Sequence, residues 1–117
     1  MGNIKEIKGD AFYGRMNDPS ASSYVKGLCG EEMEFYLIIK DGVIADIKYY
    51  SEGCEATRAC ALTAASLALN KTIKEAMQIS AGEVAGLLPP LTKEHTHCAI
   101  LAVMALYKAL ADYLLRL

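Results

Sequence analysis

Glu32-Met33-Glu34-Phe35-Tyr36-Leu37-Ile38-Ile39-Lys40, then Asp41-Gly42, then Val43-Ile44-Ala45-Asp46-Ile47-Lys48-Tyr49-Tyr50: this stretch decides the fold. The first run is dense in aromatic and β-branched residues, which suit a pleated, half-buried surface. Asp-Gly between two such runs is a strong signal for a two-residue hairpin turn. The second run alternates, and the alternation predicts Val43, Ala45, Ile47 and Tyr49 on one face. A shorter strand near Ser23 to Gly27 is expected to pair with this hairpin. Residues 1 to 20 are weakly patterned and end in turn chemistry, Asn17-Asp18-Pro19-Ser20.

Beyond Gly53 the pattern becomes helical. Ala56 to Leu69 is rich in Ala, Leu and Thr and holds no Gly or Pro. Thr72 with Glu75, and Ser80 with Glu83, have the spacing of capping boxes that open two short helices. Leu88-Pro89-Pro90-Leu91 reads as a linker, because proline lacks the amide donor a helix interior needs. From about Thr96 to the C-terminus the pattern predicts one long helix burying Ile100, Leu101, Met104, Tyr107, Ala111, Leu114 and Leu115. Strands followed by helices give an α+β domain, a small antiparallel sheet of about three strands covered on one face. With 117 residues the chain is expected to form a single domain, residues 1–117.

Composition narrows the function. Hydrophobic residues make up 53% of the chain and charged residues 22%, enough for a buried core. The net charge of −2 argues against a nucleic-acid footprint or a polybasic membrane surface. Residues 1 to 6 carry no apolar segment of the secretory kind, and Glu6 argues against myristoylation. Ala56 to Leu69 and Ala99 to Leu106 are each shorter than the roughly 18 apolar residues of a membrane span. Four Cys without an export signal are expected to be reduced thiols in the cytoplasm, serving as core fillers, metal ligands or nucleophiles.

Three of them fall where secondary structure changes. Cys29 lies in the bend Gly27-Leu28-Cys29-Gly30, Cys54 where the hairpin's second strand becomes a helix, and Cys98 beside His97 at the start of the long helix. Helix starts favour thiolate charge. Loops at one end of a sheet and helix starts facing that end can converge. They would gather three thiolates, His97 and a carboxylate, Glu31 or Glu32. No Cys-x-x-Cys pair indicates a zinc ribbon. A Cys-His hydrolase is disfavoured, because neighbours on one helix point in different directions. Cys60 lies mid-helix and reads as a small packed residue, with a fourth ligand or a resolving thiol as its alternative.

The ordered set of motifs resembles the NifU/IscU-type iron–sulfur cluster assembly scaffolds. Cys29-Gly30-Glu31-Glu32-Met33 resembles their Cys-Gly-Asp-x-Met strand, and Asp41-Gly42-Val43-Ile44 their hairpin. Gly53-Cys54-Glu55-Ala56 resembles their Gly-Cys-x-Ala/Ser helix start, and Asn70-Lys71-Thr72-Ile73-Lys74-Glu75-Ala76 their Gly-Lys-x-x-x-Glu-Ala segment. Leu88-Pro89-Pro90 and His97-Cys98-Ala99-Ile100-Leu101-Ala102 follow in order, and Ala111-Asp112-Tyr113 closes the series. The resemblance runs from about Val25 to Tyr113.

What this resemblance implies is a scaffold without catalytic turnover. It would build a labile [2Fe–2S] cluster, accept sulfur from a cysteine desulfurase and pass the cluster to apo iron–sulfur proteins. Cys29, Cys54 and Cys98 would be the ligands. The fourth would be His97, Glu31, His95 or Cys60. Zinc would occupy the same site in the purified protein. Two alternatives share the fold: a zinc-bound sulfur acceptor, and an electron carrier with Cys60 as fourth thiolate. A cluster bridging two copies of the chain is a further option. Leu91 to Thr96 is longer than the spacing in members served by a dedicated Hsp70-type chaperone, so that partner is not expected here.

Overall fold

The computed structural model describes residues 11–28, 30–90 and 96–117. Three strands, β1 (Ala21–Lys26), β2 (Glu32–Lys40) and β3 (Val43–Glu52), form an antiparallel sheet in the order β1-β2-β3. Four helices follow: α1 (Glu55–Ala68), α2 (Ile73–Ala76), α3 (Ala81–Gly86) and α4 (Thr96–Arg116). The α+β expectation holds, element by element.

Local chemistry explains most boundaries. Asp41 and Gly42 both have positive φ, 54° and 75°, as the tight hairpin turn requires. Both short helices open with complete capping boxes. The Thr72 hydroxyl accepts from the Glu75 amide while the Glu75 carboxylate accepts from Thr72, and Ser80 and Glu83 do the same.

The sheet buries one face. Val25, Met33, Phe35, Leu37, Ile44, Ile47 and Tyr49 point into a core completed by α1 and α4. Helix α4 lies across β1 and β2, whereas α1 packs against β3 and α4. Truncating a filled position such as Leu106 or Leu110 to Ala would cost about 2–5 kcal/mol. The outer edge of β3 is covered. The Tyr49 amide donates to the Phe12 carbonyl at 2.8 Å and the Ile44 amide to the Lys71 carbonyl at 2.9 Å. The weakly patterned N-terminal stretch therefore includes an edge-covering segment, Phe12 to Gly14, which blunts an otherwise open ladder.

Two expectations are corrected. In β3 the buried residues are Ile44, Ile47 and Tyr49, with Ala45 exposed and Val43 half-buried. A bulge causes this: Ile38 pairs with Asp46 but Ile39 pairs with Ile44, so Ala45 is the extra residue and the alternation changes phase there. In α4 the buried face is Cys98, Ala99, Leu101, Ala102, Val103, Ala105, Leu106, Ala109 and Leu110. Ile100 and Met104 are half exposed and Leu115 is 86% exposed. The small side chains face the sheet because a helix seated on a sheet must approach closely. Polar anchors fix that rotation: Ser23 donates to the Ala105 carbonyl at 2.7 Å, and Asp112 accepts from the Ser22 amide at 3.1 Å. The whole of α4, 21 residues, is long and apolar enough to cross a membrane by length and composition, unlike the shorter runs read from the sequence. Half of its most apolar window is buried within the fold, as in a core helix.

Candidate metal centre

The site lies at one end of the sheet, where the β1–β2 bend meets the first turns of α1 and α4. The bend is closed by the Gly27 amide donating to the Glu31 carbonyl at 2.7 Å and the Gly30 amide donating to the Gly27 carbonyl at 3.1 Å. This closure turns Glu31 inward, and its side chain is buried. Glu31 Oε2 lies 2.6 Å from His97 Nε2. Gly27 makes room for that carboxylate: a Cβ there would stand 2.3 Å from Glu31 Oε1. Glu32, the other carboxylate considered, is the first residue of β2 and interacts with Tyr24 instead.

Helix α4 contributes two further donors, His97 and Cys98. Ligand atoms of Glu31, His97 and Cys98 all lie within 4.8 Å of one another, close enough to hold one metal ion. Although adjacent in sequence, His97 and Cys98 both reach the same corner, so the divergence expected of helix neighbours does not separate their ligand atoms.

Cys54 approaches from α1, where it is the N-cap residue. Its sulfur lies 3.5 Å from the Thr57 hydroxyl, and the same hydroxyl lies 3.4 Å from the Cys98 sulfur. The Cys54 thiol titrates below the ordinary range. Burial acts against this, but the Thr57 hydroxyl and the amides of Thr57, Ala56 and Cys54 itself outweigh it. Burial pushes the Cys98 thiol up. Thr57 opposes that, while Cys54 and Glu31 add to it. One exposed, easily ionised thiol therefore stands beside one buried, harder-to-ionise thiol.

Cys60 is wholly buried among the core residues, and burial, then Cys98 and Cys54, pushes its thiol to about 12. That is the packed residue read from the sequence. Cys29 and His95 lie outside the described residues. Two contributors escaped the sequence reading. Thr57 carries a faint signal, a hydroxyl three residues after a helix-capping Cys. Gly27 read only as part of a bend.

Comparison with known proteins identifies the family. The family model of the NifU-like N terminal domain matches residues 10–117. The chain is 42% identical over 86 residues to "Iron-sulfur cluster assembly scaffold protein IscU 1" of Archaeoglobus fulgidus, covering 74% of this chain and 56% of that protein. It is 33% identical over 90 residues to "Iron-sulfur cluster assembly protein IscU" of Plasmodium falciparum, covering 75% of this chain and 54% of that one. In fold it resembles the N-terminal NifU-like protein of Brucella abortus. The TM-score is 0.75 at 18% identity, over 100% of this chain and 95% of the other. This chain belongs to the NifU-like N-terminal domain family. It spans about half the length of the curated relatives it matches.

Proposed function

We infer that this chain is an iron–sulfur cluster assembly scaffold. It receives iron and sulfur, holds a [2Fe–2S] cluster loosely on Cys29, Cys54 and Cys98, and delivers the cluster to apoproteins. The observation that carries this reading is the mixed donor set: Glu31, His97 and Cys98 converge at one corner, with Cys54 tied to Cys98 through Thr57. Soft thiolates suit iron–sulfur clusters. An imidazole and a hard carboxylate at one corner make a weaker attachment from which a cargo can depart. A resident electron carrier would be better served by four thiolates, and the buried Cys60 is poorly suited to supply the fourth.

The cluster is cargo, and the chain's own residues do the handling. Cys54, exposed and easily ionised, is suited to meet incoming sulfane sulfur. His97 and Glu31 offer the exchangeable corner. The partners that follow are a cysteine desulfurase as sulfur donor and apo iron–sulfur proteins as recipients. Zn²⁺ fits the same donors. We infer one domain over residues 1–117, a scaffold role without turnover, and a reducing, cytoplasmic setting in which the thiols stay free.

Anaerobic reconstitution with ferrous iron, cysteine, a desulfurase and a thiol reductant, which supplies the electrons that turn persulfide sulfur into sulfide, tests the reading. Two irons and two acid-labile sulfides per cluster, with the visible absorption of a [2Fe–2S] centre, are expected. Tight zinc binding with no cluster formed under these conditions would favour a zinc-bound sulfur acceptor instead.

A further inference from the structure

We propose that Thr57 is a positioning residue of the metal centre, its single hydroxyl tying the sulfurs of Cys54 and Cys98 together so that both face one ion. The proposal rests on the reading of Cys54 and Cys98 as ligands and deepens it.

The observations are independent of one another. Thr57 is fully buried, so its hydroxyl must find partners inside the protein. Those nearby are the two sulfurs, at 3.5 and 3.4 Å, one on the N-cap residue of α1 and one on the first turn of α4. A hydroxyl offers one hydrogen and two lone pairs. In the metal-free protein it can donate to one sulfur and accept from a thiol on the other, a single chain that sets the two sulfurs side by side before both ionise to take a metal. Thr57 also occupies the third position of α1, where a capping-box side chain would reach back to the N-cap amide. Here it turns to the sulfurs.

Space has been left for it. A Cβ on Gly53 would lie 3.0 Å from the Thr57 hydroxyl and 3.1 Å from the Glu31 Cβ. Gly53 therefore lets the Thr57 hydroxyl and the Glu31 stem close on the same corner. Groups that orient metal ligands from behind typically change metal affinity 10- to 100-fold when removed.

Two substitutions separate positioning from packing. Thr57→Val keeps the branched shape and removes the hydroxyl. Thr57→Ser keeps the hydroxyl and removes a buried methyl. The probe is Co²⁺, titrated into the reduced, metal-free full chain and read by its sulfur-to-metal absorption, with melting temperatures of the metal-free proteins alongside. Thr57→Val is expected to bind Co²⁺ about tenfold more weakly, with an unchanged melting temperature. Thr57→Ser is expected to bind within about threefold of the parent while melting about 4 °C lower. Equal affinity in Thr57→Val and the parent overturns the proposal, and so does a loss in Thr57→Ser as large as that in Thr57→Val. A parent that binds Co²⁺ without sulfur-to-metal absorption overturns the ligand reading itself, and the proposal with it.

Discussion

Glu31 Oε2 lies 2.6 Å from His97 Nε2, and this contact joins the β1–β2 bend to the first turn of the last helix. The imidazole nitrogen nearest the site is thus held by a carboxylate from another segment. A metal that takes this nitrogen must share it with, or displace, Glu31. On the proposed scaffold reading, the same two groups would govern both entry and departure of the cargo.

Glu31→Gln keeps the length of the side chain and removes its charge. An amide is a poorer ligand than a carboxylate, so it competes less for iron and leaves His97 freer to coordinate. We predict a cluster that forms normally and outlasts the parent's in a chelator, because the hard carboxylate no longer competes for iron. Absorbance decay after addition of chelator, from equally loaded proteins, measures this. Faster decay than the parent would make Glu31 a holding ligand.

Gly27→Ala should reproduce the Glu31 effect without replacing any residue of the donor set. The new Cβ would meet the tip of the Glu31 side chain rather than backbone, so the carboxylate moves and the fold stays. A stability change within about 1 kcal/mol is expected, together with loss of the Glu31–His97 contact. The imidazole signals of His97 in the metal-free protein report that contact. Parent-like signals in Gly27→Ala would contradict the cradle assigned to Gly27.

The thiols should separate by reactivity with pH. In the reduced, metal-free protein Cys54 should alkylate first. Its rate should reach half-maximum below the pH of an ordinary thiol, because the ionised form is favoured there. Cys98 should reach half-maximum at higher pH, since burial favours its neutral form. Cys60 should react only when the protein unfolds. Mass spectrometry of pulse-labelled peptides across a pH series gives the three profiles. A Cys98 that reacts ahead of Cys54 would reverse the assignment.

Much of the fold was legible because its signals are local. Asp41-Gly42 fixes the hairpin, and Thr72/Glu75 and Ser80/Glu83 open their helices by contacts three residues apart. The rotation of α4 was not legible. Leu101, Leu106 and Leu110 compete with Ile100, Met104 and Leu114 for the core, and a helix apolar on several sides has no single best face. Polar contacts from Ser22 and Ser23, some eighty to ninety residues upstream, settle it. The phase of β3 was hidden by a bulge that depends on pairing with β2. At the site, residue types at element boundaries pointed to Cys54, Cys98, His97 and a carboxylate, Glu31 or Glu32, and the closure of the bend turns Glu31 inward. Thr57 gave only the faint signal of a hydroxyl three residues after Cys54, because its contact with Cys98 depends on α1 and α4 meeting.

The cysteines should differ in consequence. Cys29→Ala, Cys54→Ala and Cys98→Ala are each expected to abolish a stable cluster. Cys60→Ala should retain it at a cost of about 1 kcal/mol for the small void. Iron content after identical reconstitution, beside melting temperatures, checks this. Loss of the cluster in a well-folded Cys60→Ala protein would bring the four-thiolate arrangement forward.

The most direct test of the scaffold reading is transfer. Reconstituted protein, mixed with an apo-ferredoxin under anaerobic conditions, should lose its cluster as holo-ferredoxin appears. Transfer should be faster than from free iron and sulfide at the same concentrations. The Cys54→Ala and Cys98→Ala proteins should give no more than that background. A cluster that stays on this chain while the ferredoxin remains empty, and that cycles reversibly between oxidised and reduced forms, would contradict the account.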